Sequence, residues 1–180
     1  MSRVWKRIIV ATVAVAVPIF ALLAPVDVGV TRIVTAIDVA RPSPEVFAYV
    51  TTPGNWPKWH PSSLAVHGAV DHPLEVGESV VEEFQVAGRR GRVNWHVTAC
   101  EPFRRWRIAG DIDGREAGVV TYTIERKDTG THFIREFEYR SPNLLFALLN
   151  RISLQDRIDA ESAQALQQLK KRLEMPTNEG

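Results

Sequence analysis

Apolar and polar positions alternate with a period of two over five stretches in the second half of the chain, and with a helical period over one long stretch at its end. Ser79 to Ala87, Arg92 to Glu101, Arg104 to Asp111, Gly118 to Arg126 and Thr131 to Arg140 read as strands. Turn formers fill the gaps: Gly88 to Gly91, Pro102 with Phe103, Asp113 with Gly114, and Asp128 to Gly130. An earlier strand is expected over Val30 to Val39, rich in Val, Ile and Thr. A short helix follows over Glu45 to Val50, with Ser43 as its cap and Pro44 at its first position. Trp56 to Leu64 reads as a compact turn or short helix.

The long helix runs from Pro142 to about Glu174, capped by Ser141 and closed by Pro176. Its stripe begins with Leu145, Leu148, Leu149 and Ile152, breaks at Gln155 and Asp156, and resumes through Ile158, Ser162, Ala165, Leu166, Leu169 and Leu173. Strands followed by one long helix predict an α+β domain, with a curved antiparallel sheet whose concave face covers that helix and leaves room for a cavity. Alternation assigns Glu82, Phe84 and Val86 to that face, with Val93, Trp95, Val97, Trp106, Ile108, Tyr122, Ile124, Phe133, Arg135, Phe137 and Tyr139. Asn94, His96, His132, Glu136 and Glu138 fall on the wetter face.

The N-terminus carries a different pattern. No charge occurs from Ile8 to Val26, and those residues as a helix would span roughly 28 Å, close to the ~30 Å hydrocarbon core. Arg3, Lys6 and Arg7 precede the run, which orients its start toward the cytoplasm. The expectation is a single-pass membrane protein: residues 1–29 as anchor and tether, the folded domain over 30–174 on the outer side, and a disordered tail over 175–180. A cleaved secretory signal is the alternative.

Composition is that of a globular domain, 45% hydrophobic and 24% charged. Removing Arg3, Lys6 and Arg7 from the 22 basic residues leaves 19 against 21 acidic ones, a net of −2 from Asp27 onward. A nearly neutral domain gives no electrostatic case for nucleic acid. Cys100 is the single cysteine, so no internal disulfide forms, and it reads as a small core residue. His60, His67 and His72 match no zinc template, and no metal or other cofactor is expected. The Gly88 to Arg92 run reads as a solvated basic hairpin tip.

Several phrases resemble the START and Bet v 1-like superfamily (SRPBCC), especially its bacterial polyketide cyclase/dehydrase and lipid-transport branch. They are RPSPEVFAYVTTPGNWPKWHP at Arg41 to Pro61, LEVGESV at Leu74 to Val80, the strand Trp95 to Pro102, and ESAQALQQLKKRLE at Glu161 to Glu174. The resemblance implies a helix-grip fold, in which the sheet wraps the C-terminal helix and a hydrophobic ligand sits between them. It is specific for fold and weak for function, because the superfamily includes binders, transporters and enzymes.

The residues expected to line such a site are Trp56, Trp59, His60, Glu82, Phe84, Trp95, Trp106, Tyr122, Phe133, Arg135, Phe137 and Tyr139. Trp56 and Trp59 either contact ligand at the cavity mouth or plug one end of the core. Arg135 stands out, a charge on an apolar face, which calls for a partner such as Glu82 or for a ligand's carboxylate or phosphate. The leading expectation is membrane-anchored binding or transport of a hydrophobic molecule, lipid-like or isoprenoid-like, without catalysis. A cyclase or dehydratase using His60, Glu82, Arg135 and Tyr139 is the second reading, and an interaction domain with a filled interior the third. The sequence leaves the oligomeric state open.

Overall fold

The computed structural model describes residues 20–25, 27, 29–86 and 88–175. The strands are β1 (Val30–Val39), β2 (Ser63–Gly68), β3 (Ser79–Val86), β4 (Arg89–Glu101), β5 (Arg105–Ile112), β6 (Arg115–Lys127) and β7 (Gly130–Arg140). They make one curved antiparallel sheet in the order β1-β7-β6-β5-β4-β3-β2. From β2 to β7 the chain meanders between neighbours, and β1 adds itself beside β7. Helices α1 (Ser43–Thr51) and α2 (Trp56–Trp59), with a 3-10 turn at Pro53–Asn55 between them, carry the chain from one sheet edge to the other. Helices α3 (Leu144–Leu149) and α4 (Gln155–Glu174) follow the sheet, joined by a π-helical turn at Asn150–Leu154.

β2 is a strand that the pattern did not predict. Only six residues long and bulged between Ser63 and Ala65, it lacks the regular alternation that marks the others. β4 begins at Arg89, because Val86 pairs with Arg89 and Gln85 with Arg90. The run expected as a loop at Gly88 to Gly91 is therefore mostly ladder, with Arg92 Nη2 2.8 Å from Glu83. Asp113 and Gly114 both have positive φ, 53° and 73°, which suits the tight hairpin between β5 and β6.

The caps differ from expectation as well. Ser43 opens α1 without capping it, and its hydroxyl instead lies 3.1 Å from Thr131 Oγ1. Asn143, not Ser141, caps α3, its side-chain oxygen accepting from Phe146 N at 2.8 Å. Ser141 is buried.

The chain divides into two compact units, one comprising Arg32–Tyr139 with Asp156–Gly180 and the other Met1–Thr31 with Arg140–Gln155. In the smaller unit the buried Asn150 donates to Thr31 Oγ1 at 3.0 Å, and Arg140 pairs with Asp27 at 3.1 Å. The long helix expected from Pro142 is thus interrupted. A π turn adds a residue to the local repeat, so the stripe before it and the stripe after it do not continue in one phase. Leu145, Leu148, Leu149 and Ile152 remain exposed.

The expected membrane-spanning location is corrected. Among the described residues no helix is long and apolar enough to cross a membrane. Of the run read as an anchor, residues 20–23 are helical. Most of the expected anchor, with Arg3, Lys6 and Arg7 before it, lies outside the described residues. The expected disordered tail lies outside them too, apart from Met175.

In the larger unit α4 lies on the concave face. Ile158, Ser162, Ala165, Leu166, Leu169 and Leu173 are its buried residues. Ala165, Leu166, Leu169 and Leu173 join one apolar cluster with Val39, Val46, Val80, Val97, Trp106, Ile124 and Phe133. Each fully buried Leu of this kind contributes roughly 1.5–3 kcal/mol, so the second half of the helix is held by its own stripe. Three glycines on the strands make room for aromatic rings. A Cβ at Gly91 would meet the Phe84 ring at 2.6 Å, one at Gly118 the Phe137 ring at 2.8 Å, and one at Gly110 the Trp95 ring at 2.6 Å.

Gly110→Ala should therefore destabilise the protein by about 1–3 kcal/mol, because the added methyl also meets Val93 at 2.8 Å in a packed interior. Urea unfolding measures this, and an unchanged midpoint would mean that Trp95 moves aside freely.

Candidate ligand-binding site

The concave face of the larger unit is graded. At one end the rings of Trp56, Trp59, Trp106 and Phe133 are sealed, none more than 4% exposed. Trp56 Nε1 donates to Val50 O at 2.9 Å, and Trp106 Nε1 donates to Leu74 O at 3.0 Å. Tyr122 stacks on Trp106 at 5.3 Å and tilts against Phe133 at 5.1 Å. The tryptophans expected at a cavity mouth, Trp56 and Trp59, are both buried in the core. The WPKW segment gives two aromatic anchors on one turn of α2, and their spacing turns both inward.

At the other end the same face opens. Phe84, Val86, Ile112 and Phe137 are half-buried, and Phe137 stacks on Tyr139 at 5.2 Å. Strand alternation that buries Val80 and Val97 at one end carries these residues past the edge of the packed interior.

Between the sealed and open ends lies a polar belt. Arg135 on β7 is buried, 7% exposed, between Phe133 and Phe137. Its Nη1 donates to Ser162 Oγ at 3.0 Å, and the guanidinium carbon sits 5.6 Å from the centre of the Phe137 ring. The Tyr122 hydroxyl also approaches the guanidinium. Among the described residues Arg135 forms no salt bridge. Its Nε–H has no hydrogen-bond partner. Glu82, expected to pair with it, feels its charge and bonds elsewhere: Trp95 Nε1 donates to Glu82 Oε2 at 2.7 Å. The Ser63 hydroxyl also approaches Glu82 without a well-formed bond. Ser162 and Ser63 stand beside Arg135 and Glu82, though neither is among the residues expected at the site. Ser162 had a visible signal, a hydroxyl in the middle of a leucine stripe.

His60 ends α2 beside Trp59, the two rings 5.5 Å apart at a steep angle. Both imidazole nitrogens and Trp59 Nε1 are buried without a partner. His60 is near enough to feel the Arg135 charge, so the belt holds polar groups that the protein leaves unused.

The protonation states follow from burial. Burial pushes the His60 pKa well below 6.5, and the nearby Arg135 charge pushes the same way, so its imidazole is neutral. Burial raises the Glu82 carboxyl, against the opposing pull of Ser63, Trp95 and Arg135. Tyr122, buried in the same belt, is pushed up to about 12 and stays a phenol. Burial also lowers Arg135, against the opposing pull of Tyr122 and Glu82.

The four remaining histidines have other surroundings: His67 lies 3.5 Å from Glu83, His72 bridges Asp71 and Glu78, His132 lies 2.6 Å from Asp38, and His96 is exposed. A separate hollow of about 550 Å³, lined by residues such as Tyr49, Asn55, Lys58 and Leu173, contains none of the twelve residues read as a site from sequence. Cys100 is half-buried against the core, and burial raises its pKa.

A buried neutral histidine makes stability depend on pH. Below about pH 6.5 the unfolded chain takes up a proton that the folded chain refuses, so stability falls with acidification by up to ~1.4 kcal/mol per pH unit. Urea unfolding of the native protein and His60→Phe, from neutral pH to about pH 5, should show the steeper fall in the native protein. Equal slopes would show that His60 is freely protonated in the fold.

The fold has many solved counterparts. Protein MLL2253 from Mesorhizobium loti aligns with a TM-score of 0.57 at 18% identity, covering 78% of this chain and 95% of that one. Protein CV1439 from Chromobacterium violaceum aligns at 0.60 and 18% identity, covering 81% and 99%. TTHA0849 from Thermus thermophilus aligns at 0.63 and 14% identity, covering 79% and 97%. At such identities the likeness is one of fold. No curated protein matches the chain. Residues 30–174 match the family described as polyketide cyclase / dehydrase and lipid transport. With its sheet closed around α4, the chain belongs to that family, within the START and Bet v 1-like superfamily.

Proposed function

We propose that the larger unit binds an apolar small molecule, lipid-like or isoprenoid-like, carrying one oxygen-bearing end that Arg135 receives. The family supports a hydrophobic ligand-binding domain. The observation that carries the finer reading is Arg135 itself, a buried guanidinium with no salt bridge among the described residues and an unused Nε–H. A buried cation of this kind costs several kcal/mol unless something compensates it. An acceptor on the ligand does so, and His60, close enough to feel the Arg135 charge, offers a further hydrogen bond to the same end. Half-buried Phe84, Val86, Ile112 and Phe137 give the apolar body its contacts.

Acid–base catalysis on a carbonyl held at Arg135 is the second reading. It is favoured by His60, Glu82 and Arg135 all having shifted pKa values in one belt. The sealed tryptophan end supports a filled interior for that half alone, so the pure interaction-domain reading accounts for less of the face than binding does.

Arg135→Met keeps much of the side chain's volume and removes its charge. Decanoate should lose at least about tenfold in affinity for this variant, while decanol keeps its own, as followed by tryptophan fluorescence. Equal loss for both, together with a lowered unfolding midpoint, would make Arg135 a structural residue and overturn the proposal.

A further inference from the structure

The belt contains a second ionisable group that the ligand does not need to touch. Glu82 projects from β3 into the same tier, buried enough for its carboxyl pKa to rise, with one oxygen committed to Trp95. The groups facing it are Trp95 from β4, Ser63 from β2, Tyr122 from β6 and Arg135 from β7. His60 at the end of α2 also feels Arg135. On α4, Ser162 turns to Arg135, and Glu161 accepts from Ser62 at 2.7 Å. The unliganded belt therefore holds a guanidinium and a carboxyl that influence each other across space without an ion pair.

An anion arriving at Arg135 places a second negative charge near Glu82 in a poorly solvated interior. Two carboxylates sharing one cation cannot both stay ionised at little cost, and the pKa of one of them rises. The ligand's carboxylate has the free Nε–H of Arg135 to bind. Glu82 has only neutral donors in direct reach, Trp95 Nε1 and the Ser63 hydroxyl.

Resting on the binding reading above, we propose that an acidic ligand docks on Arg135 as its anion while Glu82 takes a proton from solvent, leaving one cation and one anion in the filled site. The proton goes to the Glu82 oxygen that does not accept from Trp95, so no bond within the belt breaks. Glu82 then sets charge selectivity: it admits monoanions with a proton and disfavours dianions. Affinity for an acid is greatest below the pKa of unliganded Glu82. It falls by up to about tenfold per pH unit as pH rises through the window between the unliganded and liganded values, and levels off above it.

Calorimetric titration of the full chain with decanoate and with decanol, in buffers of different ionisation enthalpy, counts the protons. Decanoate should bring in close to one proton per molecule within the window, and decanol none. Across the pH range in which the native protein shows the slope, Glu82→Gln should lose both the uptake and the slope, and should bind decanoate more tightly than the native protein at the alkaline end. Decanoate binding without proton uptake overturns the coupling and leaves the binding reading standing. A slope that survives in Glu82→Gln also overturns it, by moving the proton to another group such as His60. Decanol binding with no decanoate binding removes Arg135 as the receptor of the acidic end, and the coupling with it.

Discussion

The constraint on which the interior depends is the burial of Arg135, which forms no salt bridge among the described residues. A positive charge in a low-dielectric interior is tolerated only where neighbours supply oxygens, ring faces or another charge. Here hydroxyls from the central helix and from Tyr122, one aromatic face and a carboxyl held at a distance share that task. They come from different elements, so the sheet, its neighbours and α4 must all be in register for the belt to exist. That arrangement uses alternation on β7 to turn the charge inward and a break in the leucine stripe of α4 to meet it.

The two ends of the concave face divide the remaining work. The sealed end is ordinary core, with tryptophan rings whose N–H groups donate to backbone carbonyls at Trp56 and Trp106. The open end uses glycine on two strands to make room for Phe84 and Phe137, so aromatic surface lines the sheet there, and Gly110 does the same for the buried Trp95. Arg135 sits at the boundary, where an apolar molecule reaching past the rings would place its polar end. Neutral His60 and neutral Tyr122 keep the belt from acquiring further charge.

Much of this was legible in the sequence, and the failures have physical causes. Period-two alternation placed β3 to β7 and assigned their inner faces, because a strand half-buried on one side must alternate, while β1 was marked by its Val, Ile and Thr content. β2 escaped because a short, bulged edge strand has no such obligation. The anomaly at Arg135 was visible as a charge between two phenylalanines, whereas its actual partner Ser162 lies 27 residues away on another element. Glu82 shared the predicted face, yet face alone does not give distance, and its carboxyl went to Trp95. The long helix was read as continuous because Leu145 to Ile152 and Ile158 to Leu173 both carry a helical period. The π turn between them begins at the buried Asn150, which bonds to Thr31, a contact that no local pattern contains.

Native mass spectrometry of the full chain, purified from its own host and followed by extraction and identification of any bound compound, tests the central claim most directly. The account predicts a near-stoichiometric apolar molecule bearing a single acidic or carbonyl end. A chain that emerges empty, and that captures nothing from a total extract of apolar metabolites, would contradict it.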